Sequence, residues 1–299
     1  MQVTRALQPI LPLCQRLLPS LPSRLAGLST ALLKATVLDA AILAGHLLLY
    51  PSGITQERRR PALPAAKNDA IGENGTEFPP RLPTQAPPPV VLLHGFIDNR
   101  SVFVLLRRSL AQHGRHRVES LNYSPLTCDI RIAAELLGRH VEEICARTGS
   151  SRVDMVGHSL GGLIARYYVQ RLGGDVRVRT LVTLGTPHSG TRVAPLANAH
   201  PIVRQMRPGS EVIEELSRPA PGCRTHFVSF WSDLDHLMDP LETACIDHPD
   251  LHAQNVRVTG IGHLALPVHP AVATGIRQAL DASETVAAAD PRTGGLTVA

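Results

Sequence analysis

The stretch from Arg152 to Arg171, RVDMVGHSLGGLIARYYVQR, constrains the fold of this chain more than any other. Val153 to Val156 reads as a short strand and Leu163 to Gln170 as a helix. Between them lies Gly157-His158-Ser159-Leu160-Gly161, a G-x-S-x-G pentapeptide. A serine on so sharp a strand-to-helix turn must enter a sparsely populated backbone region. Glycine is needed two residues before and two after it, because a Cβ at either place would meet neighbouring backbone. The turn lifts Oγ clear of the sheet and leaves the Leu160 N–H at a helix N-terminus, where it can donate to an anion. A serine in this setting is a candidate nucleophile.

The rest of the chain supplies a sheet for that turn. Val90 to Leu93 is a continuous apolar run, as expected of a strand buried on both faces. Ser101 to His113 reads as a helix, Val118 to Tyr123 as a strand, and Asp129 to Arg147 as a helix that opens on Asp and stops before Gly149. Val178 to Leu184, His226 to Trp231 and Val256 to Thr259 bring the strands to about six, and Pro270 to Ala282 is a last helix. Strands alternating with helices predict an α/β fold with a mostly parallel sheet and helices on both faces. Thr191 to Gly222 breaks the rhythm and contains one helix-like piece, Ser210 to Leu216. An insertion there is expected above the C-terminal strand ends, as a cap or lid.

The predicted organisation is therefore an N-terminal apolar and basic arm (1–57), a linker (58–89), an α/β domain (90–283) with its cap near 191–222, and a disordered tail (284–299). Eight prolines between residues 61 and 89 leave the linker too little apolar surface for a core. With 299 residues the chain is long enough for one large domain with a sizeable core. At 3% aromatic residues that core must be built from Leu, Val, Ile and Ala.

Charge separates the arm from the domain. Residues 1–60 hold seven basic and two acidic residues, which accounts for the whole net charge of +5. The domain has no charge excess that would suit nucleic acid. A basic arm beside an apolar segment suits an anionic membrane surface instead. Ala26 to Tyr50 is the apolar candidate helix, but it carries Lys34, Asp39 and His46, and its longest uncharged stretch, from Ala40 to Tyr50, is too short to span a bilayer. The expectation is a retained helix that lies on a membrane or packs on protein, in a membrane-associated or exported protein. The five cysteines include Cys14 in the arm. The others allow Cys128–Cys145 and Cys223–Cys245 disulfides, or reduced buried thiols.

An alcohol is nearly inert until a base takes its proton and a third group orients that base. For a serine on such a turn the chain order should be Ser, then acid, then His. His263 ends a strand in Gly260-Ile261-Gly262-His263, a loop that can curl back toward the serine; His252 and His269 are the other late histidines. Asp233, Asp235 and Asp239 all follow the His226 to Trp231 strand. Asp235 is favoured, Asp233 is the alternative, and Asp239 with its following proline suits a turn. His94-Gly95-Phe96 follows the first strand, so the Phe96 N–H can face the Leu160 N–H as a second oxyanion donor; losing one such donor costs about 2.7–4 kcal/mol. His94 and His158 are read as structural. Asp247, His248, Asp250 and His252 read as a solvated loop rather than a metal site, and Gly185 to Gly190 as a turn at the pocket rim.

Taken in order, V-V-L-L-H-G-F, V-G-H-S-L-G-G, V-T-L-G-T-P-H-S-G-T, W-S-D-L-D and G-I-G-H-L resemble the bacterial triacylglycerol lipases and esterases of the α/β-hydrolase superfamily. The matching pieces fall within residues 90–266. The resemblance implies the α/β-hydrolase fold and a serine carboxylic-ester hydrolase acting on lipid or other apolar esters. It places nucleophile, acid and base on Ser159, Asp235 and His263 and the oxyanion amides on Phe96 and Leu160, with no cofactor. The arm and linker have no counterpart in the minimal enzymes. A lipid acyltransferase using the same triad, or a non-catalytic membrane-recruited binding protein, are the alternative readings.

Overall fold

The computed structural model describes residues 30, 32–45, 86–96, 98–121, 129–193 and 200–289. Six strands are present: β1 (Val90–Leu93), β2 (Val118–Leu121), β3 (Val153–His158), β4 (Val178–Leu184), β5 (His226–Ser232) and β6 (His252–Val258). They form one sheet in the order β2-β1-β3-β4-β5-β6, with every pairing parallel. The register aligns the strand ends that matter: Leu93 lies beside Gly157, His158 beside Leu184, and Leu184 beside Phe230. Loops leaving β1, β3, β4, β5 and β6 therefore emerge on one edge, where ligands gather in parallel sheets.

Seven helices accompany these strands among the described residues: α1 (residues 32–45), α2 (Val104–Gln112), α3 (Ile130–Thr148), α4 (Leu160–Arg171), α5 (Pro201–Gln205), α6 (Glu211–Ser217) and α7 (Pro270–Ala289). Asp129 caps α3 by accepting from the Arg131 N–H, and Gly149 ends it in the left-handed conformation. A 3-10 turn, Arg100–Phe103, precedes α2, so the predicted 101–113 helix is two pieces. Its first turn is set by Asn99, whose side chain accepts from the Ser101 N–H.

The core is built from alternation along the strands. Val91 and Leu93 join Met155, Leu181 and Phe227 on one face, covered by α3 and α4. Val90 and Leu92 join Val156, Val182, Val228 and Phe230 on the other, covered by α2 and α7. Asp154 on β3 and Arg179 on β4 put a buried ion pair inside the central strands. Asp154 is fully buried and accepts from Arg179 Nε at 2.9 Å, with Arg115 at 3.4 Å. Arg115 also reaches Asp281 on α7 at 2.9 Å, so this cluster ties the sheet to its covering helix.

The cap expected at 191–222 contains α5 and α6, with residues 194–199 outside the described set. It is fastened rather than free. Ile202, Val203, Val212, Ile213 and Leu216 belong to the same apolar core as α3 and α4. Arg131 on α3 bonds Glu215 at 2.7 Å, and Tyr167 donates to Glu215 at 2.6 Å. Below them Arg166, fully buried, donates to Gln170 Oε1, the His188 carbonyl and the Leu216 carbonyl. Burial pushes its guanidinium pKa down to about 10.

Two expectations need correction and one open alternative is decided. β6 begins at His252, four residues earlier than the apolar pattern indicates, because it is an edge strand whose ladder to β5 tolerates polar, exposed side chains. The tail assigned to disorder from 284 continues α7 as far as Ala289; Glu284 and the three alanines 287–289 have the helix propensity to extend a helix already anchored at Val272, Ile276 and Leu280. Cys223 and Cys245 are free thiols, as is Cys145, so neither disulfide alternative involving them is formed. Finally, α1, from the helix expected at 26–50, packs on the protein through one face: Ala35 is buried and Ile42 packs on the core, while Leu33 and Val37 are 65% and 60% exposed. No helix among the described residues is long and apolar enough to cross a membrane. The linker lies almost wholly outside the described residues, as do Cys14 and Cys128.

Candidate active site

Ser159 has φ +52° and ψ −120°, and it is the only described residue other than glycine with positive φ. Such a conformation costs on the order of 1–3 kcal/mol and persists only when its surroundings impose it. Three hydrogen bonds do so. The Ser159 N–H donates to the Leu184 carbonyl at 2.9 Å, and the Ser159 carbonyl accepts from the Gly162 N–H and from Thr186 Oγ1, both at 3.0 Å. Space is equally tight around the turn. A Cβ on Gly157 would lie 2.6 Å from Gly162 Cα, and one on Gly161 would lie 2.4 Å from the Leu93 carbonyl oxygen. The glycines thus let α4 start directly against the backbone that leaves β1.

That contact sets the oxyanion candidates. Leu160 is the first residue of α4, so its N–H has no acceptor inside the helix. The 94–96 loop lies against the same turn: a Cβ on Gly95 would come within 3.4 Å of Ser159 Cβ. The Phe96 ring meets the His200 ring edge-on at 5.0 Å, which connects this loop to the start of the cap.

Asp235 and His263 are brought together by the loops after β5 and β6. His263 Nδ1 donates to Asp235 Oδ2 at 2.8 Å, and both side chains are almost completely buried. The other carboxylate oxygen accepts from the Leu237 N–H at 2.9 Å. A proton held on Nδ1 leaves Nε2 as the basic nitrogen of the neutral ring. Burial opposes charge on His263, but Asp235, by charge and hydrogen bond, with Asp98 and Asp39 adding, outweighs it; the pKa stands above the ordinary imidazole value of 6.5.

Asp233 faces elsewhere. It accepts from Arg257 at 3.0 Å and from the Gly260 N–H at 3.0 Å, on the exposed side of the loop. The Asp239 backbone bonds Thr191 and Arg192 at the cap boundary. His252 opens β6 and is exposed, and the His269 N–H donates to the Ala265 carbonyl just before α7.

One tripeptide joins the serine to the histidine pair. Leu184 and Thr186 hold the Ser159 backbone, and between them Gly185, at φ +51°, lies against the pair itself. A Cβ there would sit 2.8 Å from Asp235 Oδ2 and 3.0 Å from His263 Nδ1. The Gly185 to Gly190 stretch is thus more than a rim turn, and Thr186 is the residue that sequence reasoning missed. Its only signal was its place after a buried strand.

His158 and His94 complete the floor. The His158 ring lies 4.8 Å from the His263 ring, its Nε2 is 3.3 Å from the His263 carbonyl oxygen and its Nδ1 is 3.3 Å from Asp98 Oδ2. His94 Nδ1 donates to the Gly95 carbonyl at 2.8 Å. Burial pushes both pKa values below the ordinary imidazole value. The 247–252 loop is tied down differently: His248 Nε2 lies 3.0 Å from the Arg218 carbonyl oxygen and Asp250 accepts from the Ala220 N–H, which fastens it to the end of the cap. No group of three or more metal-ligating side chains occurs among the described residues.

A parallel sheet, a strained serine between β3 and α4, and a His–Asp pair at the ends of β6 and β5 define this domain as one of the α/β-hydrolase fold. Residues 88–218 match the family model described as alpha/beta hydrolase fold. In sequence the chain is similar to bacterial triacylglycerol lipases. That of Pseudarthrobacter phenanthrenivorans is 32% identical over 114 residues, covering 36% of this chain and 35% of its own length. That of Vibrio cholerae is 31% identical over 139 residues, covering 45% and 41%. The matches thus span well under half of these relatives. Among solved structures, the mature Bacillus licheniformis lipase aligns with a TM-score of 0.54 at 16% identity, over 68% of this chain and 96% of that one. Aspergillus fumigatus lipase B aligns at 0.51 and 20%, over 58% and 45%. At such identities the structural likeness speaks for the fold alone.

Proposed function

We propose that the protein is a serine carboxylic-ester hydrolase acting on lipid or other apolar acyl esters. His263, oriented by Asp235, takes the Ser159 proton as Oγ attacks the ester carbonyl. The Leu160 and Phe96 N–H groups bind the resulting oxyanion, and His263 returns the proton to the leaving alcohol. Water, deprotonated in turn by His263, then releases the acid and restores Ser159. No step calls for a cofactor. The observation that carries this reading is the Leu184–Thr186 tripeptide, which holds the strained serine by hydrogen bonds from its outer residues and lies directly against the buried His–Asp pair at Gly185. The lipase names of the sequence relatives support the substrate class. Purified chain should hydrolyse p-nitrophenyl esters, and Ser159→Ala should lose that activity; equal rates for the two proteins would refute the proposal.

The substrate reading extends to a surface. Leu33, Val37, Leu38 and Leu43 are exposed on α1, and they lie within the segment that holds the chain's entire charge excess. Apolar side chains flanked by basic ones suit the interface of an anionic lipid layer. We read α1 as the element that brings the domain to such a surface.

A further inference from the structure

α1 reaches the site as well as facing away from it. Asp39, one turn after the buried Ala35 and one before Ile42, points at the loop that carries His263. Its Oδ1 accepts from the Ala265 N–H at 3.1 Å, and the Leu264 N–H is also bonded to the carboxylate. These amides begin a turn: the Leu266 N–H donates to the His263 carbonyl and the His269 N–H to the Ala265 carbonyl. The first N–H groups of such a turn have no local acceptors, and a carboxylate is their best partner. Asp39 supplies it from 226 residues away in sequence.

Gly262 gives an independent indication. Unlike Gly260, at φ +79°, it has no positive φ, so its backbone does not demand glycine. What demands glycine is Asp39: a Cβ on residue 262 would stand 2.1 Å from Asp39 Oδ2 and 2.5 Å from its Cγ. The residue before the base is thus shaped to receive this carboxylate.

We propose that Asp39 is a positioning residue for the reaction: by bonding the turn that follows His263 it holds the imidazole in its working place, so that α1 is part of the active site. This rests on the assignment of His263 as the base. The groups facing that ring are Asp235 at 2.8 Å, the His158 ring at 4.8 Å, and the carboxylates of Asp98 and Asp39, both close enough to favour its charged form. Because Asp39 holds backbone rather than the ring, removing it leaves the Asp235 bond chemically possible but the loop unpinned. Displacing a catalytic group by as little as 1 Å can cost about 100-fold in rate.

The test uses the full chain with Asp39→Asn, Asp39→Ala, Gly262→Ala and the Asp39→Ala/Gly262→Ala double variant. Melting temperature, kcat and KM on a soluble p-nitrophenyl ester, and labelling of Ser159 by a fluorophosphonate are measured across pH. Asp39→Ala should lower kcat by roughly 10- to 100-fold with KM little changed. Asp39→Asn, which keeps an acceptor oxygen but not the charge, should recover most of kcat. It should also shift the acidic limb of kcat/KM to lower pH, since a missing negative charge makes the imidazolium easier to deprotonate. Gly262→Ala should cost about as much as Asp39→Ala, and the double variant no more than either, because both break one contact. If wild type labels at Ser159 but the Asp39 variants match it in kcat and pH limb, or if the two substitutions simply add, Asp39 has no positioning role and the triad stands. Failure of the wild type to label at Ser159 would overturn both.

Discussion

Two aspartates two residues apart show how finely the site is resolved at the scale of single side chains. Asp235 bonds His263 and is buried, whereas Asp233 bonds Arg257 and the Gly260 N–H near solvent. Asp235→Asn should therefore lower kcat by about 10⁴-fold, the scale seen when a triad acid can no longer hold the base in its working tautomer. Asp233→Asn should stay within a few-fold of wild type, and steady-state kinetics on one ester decides both. The pH profile follows from the same pair. The base must be neutral to act, and its pKa is raised, so activity should appear only as pH rises through an apparent value above 6.5. Ser159, His263 and the glycines of the turn were legible because each is a residue type that the chemistry or the geometry demands at that place. The choice between aspartates was not, because both lie in one short loop and only the fold decides which side each faces. Asp39 was legible only as a misfit, a charge in an apolar helix, with nothing local to name its partner.

At the level of helices and strands, the buried strands of the sheet announce themselves and its margins do not. β1 is a continuous apolar run, β3 and β4 are buried along their whole length with apolar residues predominating, and all three lie where the sequence pattern puts them. β6 is an edge strand with mostly exposed side chains, so half of it reads as loop. The cap reads as an interruption of the alternation, but its attachment through Arg166 and Arg131 depends on contacts that no periodicity reports. Those attachments differ in worth. Arg131 and Glu215 are partly exposed, so Arg131→Ala should cost at most about 1 kcal/mol. Asp154 is fully buried between Arg115 and Arg179, and Asp154→Ala takes from buried Arg179 the carboxylate it bonds through two nitrogens, while Arg115 keeps Asp281. That change should cost about 3–5 kcal/mol, read as a shift of the urea midpoint, with the Arg131 variant as the comparison. Equal shifts for the two variants would show that the buried cluster does not stabilise the sheet as its geometry implies.

Over the whole sequence, the charge excess is concentrated in residues 1–60, the segment in which α1 exposes Leu33, Val37, Leu38 and Leu43, while the remainder is electrically balanced. The protein should therefore co-sediment with anionic vesicles and release from them as salt rises, because the Debye length falls from about 10 Å at 0.1 M to about 3 Å at 1 M. Replacing Leu33 and Val37 together by serine should weaken that binding while leaving hydrolysis of a soluble ester intact. Binding that ignores salt and these substitutions would place the lipid contact elsewhere. The expectations about catalysis all depend on Ser159 being an alcohol activated by the His263–Asp235 pair. The most direct test is the pH dependence of covalent fluorophosphonate labelling, with the modified residue located by peptide mapping. Labelling should fall on Ser159, accelerate with pH through the raised pKa of His263, and slow sharply in Asp235→Asn. Labelling that is absent, that falls on another residue, or that proceeds at the same rate in Asp235→Asn would contradict it.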